Sequence, residues 1–269
     1  TLIPMFFLIL KWGGYDRKYA SQKFFIYTFT ASVVMLLGLV TVYFLQPEDL
    51  TYAGTWTGLT FDIPTLTNHA QSVNGEGWFL GESMQKILFV MLMIGFLVKL
   101  PSVPFHTWLP DAHTQAPTQG SVILAAVLLK LGTYGFIRIS IPMLPEAAEA
   151  WAPVIGLLAV IGIIYGALGC LAQTDMKRLI AFSSVAHMGF VMLGISTLTD
   201  FGINAAIFGM VAHGLITGML FFIAGSVKDR YHTLEISRLG GMLIQAPRLG
   251  WILGFTSMAS LGLPGLAGF

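Results

Sequence analysis

The chain has 269 residues, of which 55% are apolar and only 10% charged. A soluble domain carries roughly a quarter of its residues as charged side chains, so this composition excludes an ordinary water-soluble domain. A formal charge of +1 gives no electrostatic footprint for nucleic acid.

Apolar runs of about 20 residues are long enough to cross the hydrocarbon of a bilayer. In chain order such runs fall at 1–10 (partial), 21–45, 84–107, 119–141, 151–171, 177–198, 202–224 and 248–269 (partial). The fold class expected is all-α: a polytopic transmembrane bundle of about eight spans, treated as one domain over 1–269. Thr1–Leu10 is about half the length of a span, and Trp251–Phe269 stops inside apolar sequence, so a piece of a longer membrane chain is expected. The long connection 46–83 holds Glu48, Asp49, Asp62, Glu76 and Glu82 but no Lys or Arg, and reads as a polar extracytoplasmic loop.

Orientation follows from basic residues. Lys11, Arg17, Lys18 and Lys23, then Lys177 and Arg178, then Lys228, Arg230, Arg238 and Arg248 cluster at three connections that share a side if all eight segments cross. The positive-inside rule puts that side in the cytoplasm.

Two spans are interrupted by proline, at Pro101 and Pro104 in the third and at Pro264 in the eighth. Proline frees backbone carbonyls, and within a membrane these survive only against protein or water. The two breaks lie five spans apart and so cross in opposite directions, the pattern of inverted repeats of five helices.

Four ionisable residues, Lys99, Lys130, His187 and His213, sit near the middle of separate spans. Mid-membrane charge is costly and marks ion or proton paths. Histidine passes a proton between its two nitrogens near neutrality. A buried lysine becomes a switchable proton store, because burial disfavours its charged form. At about 1.5 Å per residue, Lys130, His187 and His213 each lie about ten residues into their spans, which predicts one central slab for lateral proton transfer. Lys86 and Arg138, near span ends, read as interfacial anchors, as does the Lys177–Arg178 pair, with Asp175 capping the helix that follows.

Other chemistry is poorly served. His106, Asp111 and His113 lack the close helical spacing of a zinc pair, and 105–118 reads as an interfacial segment, so no metal is expected. The single Cys170 excludes an intrachain disulfide and a cysteine-ligated cluster. There is no phosphate loop, nucleophile elbow or haem motif.

The stretches VKLPSVPFHTWLPDAHTQAPT (Val98–Thr118), LLKLGTYGFIRI (Leu128–Ile139), QTDMKRLIAFSSVAHMGFVMLG (Gln173–Gly194), VAHG (Val211–Gly214) and SLGLPGLAGF (Ser260–Phe269) closely resemble the antiporter-like membrane subunits of bacterial proton-pumping NADH:quinone oxidoreductase, respiratory complex I. The wording is most similar to that family's subunit M (chain 4) branch. The resemblance implies that Lys99, Lys130, His187 and His213 form a hydrated axis relaying protons. It implies other membrane-arm subunits, lipid and internal water as partners. It also implies no cofactor in this chain, with NADH, flavin, iron–sulfur clusters and quinone held by other subunits. It further implies partner glutamates just ahead of Thr1 and just after Phe269. Two other readings are a subunit of a multi-subunit sodium/proton antiporter, and an inert membrane scaffold.

Overall fold

The computed structural model describes residues 2–46, 51–52, 55–56, 59–72 and 80–269. Glu48, Asp49 and Glu76 of the acidic connection lie outside the described residues. In chain order the helices are α1 (Leu2–Trp12), α2 (Arg17–Phe44), α3 (Ile63–Ser72), α4 (Glu82–Lys99), α5 (Trp108–Gln115), α6 (Thr118–Met143), α7 (Pro145–Leu171), α8 (Met176–Ser196), α9 (Asp200–Tyr231), α10 (Met242–Gln245) and α11 (Pro247–Ser260). Among the described residues the only strands are the two-residue β1 (Thr51–Tyr52) and β2 (Thr55–Trp56), an antiparallel pair.

Five helices, α2, α6, α7, α8 and α9, are long and apolar enough to cross a bilayer. Their outward faces carry large apolar side chains, such as Leu157, Ile164 and Leu168 on α7 and Phe208, Leu215 and Phe222 on α9. In lipid, helices associate through close packing of small residues. A Cβ on Gly166 of α7 would lie 2.7 Å from the Ala186 nitrogen, and one on Gly189 of α8 would lie 3.0 Å from the Ala159 carbonyl. Hence α7 and α8 meet almost backbone to backbone.

The third expected span, 84–107, is broken as its prolines predict. Its helix stops at Lys99, and the segment over 105–118 contains α5, whose Trp108, Leu109, Ala112 and His113 are buried against the rest of the protein. The prolines stop α4, and the apolar face of α5 then folds back into the bundle. The seventh expected span, 202–224, is longer in the structure, running over Asp200–Tyr231 with Thr199 Oγ1 accepting the Gly202 N–H at its start.

The three basic connections gather at one end. Gly14 N donates to Gln115 O at 2.9 Å, Met176 N to Leu234 O at 2.9 Å, and Ile236 N to Thr174 O at 2.9 Å. Asp175 caps α8 as expected, Oδ1 accepting Arg178 N–H at 2.9 Å. At the opposite end Gln85 Nε2 donates to Glu146 Oε2 at 2.9 Å, joining the starts of α4 and α7.

Candidate functional site

The first helix break begins at Lys99. Pro101 and Pro104 have no N–H to give, so carbonyls in the last turn of α4 need other donors. Trp108 Nε1 returns from α5 to donate to Val98 O at 2.9 Å, while Ser102 N donates to Leu97 O at 3.0 Å. Lys99 lines a cleft of about 80 Å³ with Leu2, Thr28, Ser32, Leu128 and Leu131. Among the described residues no hydrogen-bond partner is found for its ammonium group. A Cβ on Gly132 would stand 2.7 Å from Phe96 O, so glycine is what lets α6 reach the end of α4.

Lys130 sits between two π-helical stretches of α6, Leu124–Leu128 and Phe136–Ser140. Such wide turns re-aim side chains and recur at functional positions. Lys130 Nζ donates to Ala125 O at 2.6 Å and lies 2.6 Å from His213 Nδ1 on α9. An ammonium has only donors, so in the Lys130-charged state His213 accepts at Nδ1 and carries its own proton on Nε2. That Nε2 is buried with no partner among the described residues.

The His187 ring on α8 has its centroid 5.4 Å from that of His213. Its Nδ1 faces Ser183 O at 2.7 Å and its Nε2 faces Ser260 O at 2.9 Å. Ser260 is the last residue of α11. Beyond it Leu261–Phe269 runs in turns, with Gly262 at φ 77° and Gly265 at φ 90°, left-handed conformations that glycine adopts without a Cβ clash. His187, His213, Ser260 and Gly262 line one cavity of about 440 Å³. The structure therefore brings three of the four expected residues together and joins them to the second break. Lys99 is held apart, in its own cleft.

The burial of two further ionisable residues, besides that of His106, escaped the sequence reading. Lys177 is not an interfacial anchor: it is 1% exposed, and its Nζ donates to Ala116 O at 2.9 Å, where α5 passes into α6. It is drawn inward because the start of α8 is pinned by the 232–236 segment and packs beneath that junction. His113 is fully buried, stacked on Phe221 at 4.4 Å, and neither ring nitrogen has a partner among the described residues. It lies within electrostatic reach of both Lys177 and Lys130. A lysine beside a helix-start arginine, or a histidine in a proline-rich connection, gives no sequence signal of burial.

The family model described as NADH:quinone oxidoreductase/Mrp antiporter, transmembrane, matches residues 1–269. The chain is 48% identical over 271 residues to NADH-quinone oxidoreductase subunit M of Rhodobacter capsulatus, covering 100% of this chain and 51% of that protein. It is 44% identical over 272 residues to F(420)H(2) dehydrogenase subunit M of Methanosarcina mazei, covering 100% of this chain and 52% of that protein. It thus spans about half the length of the curated relatives it matches. Among solved structures, respiratory complex I from Thermus thermophilus with bound NADH gives a TM-score of 0.88 at 31% identity, over 100% of this chain and 53% of that one. The Mrp complex from Dietzia sp. gives 0.83 at 20% identity, over 98% and 46%, a likeness of fold. With the broken helices and the buried lysine–histidine cluster in place, the chain belongs to the NADH:quinone oxidoreductase/Mrp antiporter transmembrane family.

Proposed function

We propose that the chain is the proton-relaying core of an antiporter-like subunit of a bacterial respiratory NADH:quinone oxidoreductase, multi-pass in the inner membrane. The observation that carries this reading is the 2.6 Å contact between Lys130 Nζ and His213 Nδ1. Lys130 gives its proton to His213 Nδ1, leaving a neutral amine, and His213 releases the proton it held on Nε2. Internal water in the shared cavity carries that proton across the gap to His187. Lys99 holds a second proton beside the first helix break. Lys177 and His113 extend the same buried polar line toward the basic end, which faces the cytoplasm; the 46–83 connection lies on the other side.

The chain performs no redox step. The energy comes from electron transfer in partner subunits that hold NADH, flavin, iron–sulfur clusters and quinone. Identity of 44–48% to oxidoreductase subunits, over all of this chain and about half of theirs, favours this reading over a sodium/proton antiporter. The direct test is Lys130→Ala in the assembled complex. NADH-driven acidification of inverted vesicles is expected to collapse, while NADH oxidation by an artificial acceptor persists. Undiminished acidification would defeat the proposal.

A further inference from the structure

His187 stands between two main-chain carbonyls, Ser183 O at 2.7 Å from Nδ1 and Ser260 O at 2.9 Å from Nε2. A carbonyl oxygen only accepts. A neutral imidazole has one N–H, so both contacts are hydrogen bonds only when the ring carries two protons. With one proton, one of the carbonyls faces a bare nitrogen lone pair and is repelled. The two carbonyls are not equivalent. Ser183 belongs to the preceding turn of α8 and is fixed to the ring by that helix, whereas Ser260 belongs to α11, at the point where its helix ends.

The surroundings offer the ring no other means of holding that contact. The titratable group facing it is His213 on α9, at 5.4 Å between ring centroids, and behind it Lys130 on α6. From α7, Gly166 lies against Ala186, and Ala159 and Ile163 against Gly189, none of them titratable. From α11 the ring meets main chain. The proton on His187 and the Ser260 carbonyl are therefore linked directly.

We propose that His187 is a proton-operated latch on the second helix break. The charged ring clasps Ser260 O and holds the Leu261–Phe269 turns against α8. When the ring passes its proton on, Ser260 is released and the cavity it closes with His187, His213 and Gly262 widens. Proton arrival and the shape of the break are thus coupled through one side chain, which acts here as a positioning residue. The idea rests on the proposed relay only for the gain and loss of a proton at His187 during turnover, and the test separates the latch from an obligatory relay role.

The test uses the complete complex in native membranes carrying Leu263→Cys, a side chain 48% exposed within the break. Labelling by N-ethylmaleimide is followed by peptide mass spectrometry with His187 intact, with His187→Gln and with His187→Ala. A glutamine amide donates to Ser260 O whatever the proton supply; alanine donates nothing. At rest, slow labelling is expected for histidine and glutamine, and labelling about fivefold faster for alanine, the equivalent of one ordinary hydrogen bond. During NADH turnover the histidine protein is expected to label faster and the glutamine protein to stay unchanged. Equal labelling in all three, at rest and in turnover, overturns the latch. If His187→Gln pumps normally with the expected labelling pattern, the relay role falls and the latch stands. If pumping is lost and labelling is flat, the reverse holds. If the alanine variant does not assemble, the histidine–glutamine comparison under turnover decides.

Discussion

Replacing Lys130 with arginine separates a proton carrier from a fixed charge. Lys130 Nζ has two contacts, Ala125 O and His213 Nδ1, both at 2.6 Å. A guanidinium can keep both, because Lys130 borders a groove of about 510 Å³ shared with Leu131, Tyr134, Met210 and Gly214 that gives the larger head room. What arginine loses is release: in water it holds its proton about three pK units more tightly than lysine, or roughly 4 kcal/mol. At about 1.4 kcal/mol per tenfold, the release step slows by about a thousandfold. The assay is NADH-driven acidification in inverted vesicles containing the assembled complex, normalised to NADH oxidation by an artificial acceptor. Loss of acidification with intact assembly is expected. Acidification at half the wild-type rate or better would show that Lys130 serves as a static charge, and the relay argument would fail.

Three further outcomes follow from the packing. Gly132→Ala drives a Cβ to 2.7 Å from Phe96 O and is expected to destabilise by about 1–3 kcal/mol, read as a lower thermal inactivation temperature and a lower yield of assembled complex. Trp108→Phe leaves Val98 O without its 2.9 Å donor, at about 1–3 kcal/mol, and hydrogen exchange should rise in the last turn of α4 and in α5 while α7 stays protected. Asp62 accepts from the Thr65 hydroxyl and, at 2.9 Å, from the Thr65 N–H; these bonds hold its carboxyl below the usual aspartate range. A lowered carboxyl contributes stability above its ordinary pKa and loses it as pH falls through the depressed value. Amide protection in the first turn of α3, measured relative to the intrinsic exchange rate at each pH, should therefore be unchanged from neutral pH to mildly acidic conditions and fall only in stronger acid. Asp62→Ala should show the reduced protection at every pH.

The sequence made some of this readable and hid the rest for identifiable reasons. Lys130, His187 and His213 stand out as candidates because an ionisable side chain about ten residues into an apolar run is costly in a membrane. Pro101, Pro104 and Pro264 likewise mark helix breaks through the missing N–H, and the helices do end beside them, at Lys99 and Ser260. That Trp108 returns to satisfy Val98 O is a tertiary fact, and so is the burial of the helix that carries it. Lys177 looked like an anchor because its neighbours in sequence are polar, yet its neighbours in space are Ala116 and the α5–α6 junction. The separation of Lys99 from the other three depends on which way each helix face turns, which position along a span does not determine.

The two widened turns of α6 make the aim of Lys130 a matter of counting. Each π stretch accommodates about one residue more than a regular turn would hold, and each residue swings a helix face by about 100°. Deleting a single residue from Leu124–Leu128 would let that stretch relax to ordinary pitch while leaving the helix apolar and long enough to span. The lysine would then point a quarter-turn or more away from His213. The contact between Lys130 and His213 is therefore as exposed to a one-residue insertion or deletion in this apolar stretch as to loss of the lysine itself.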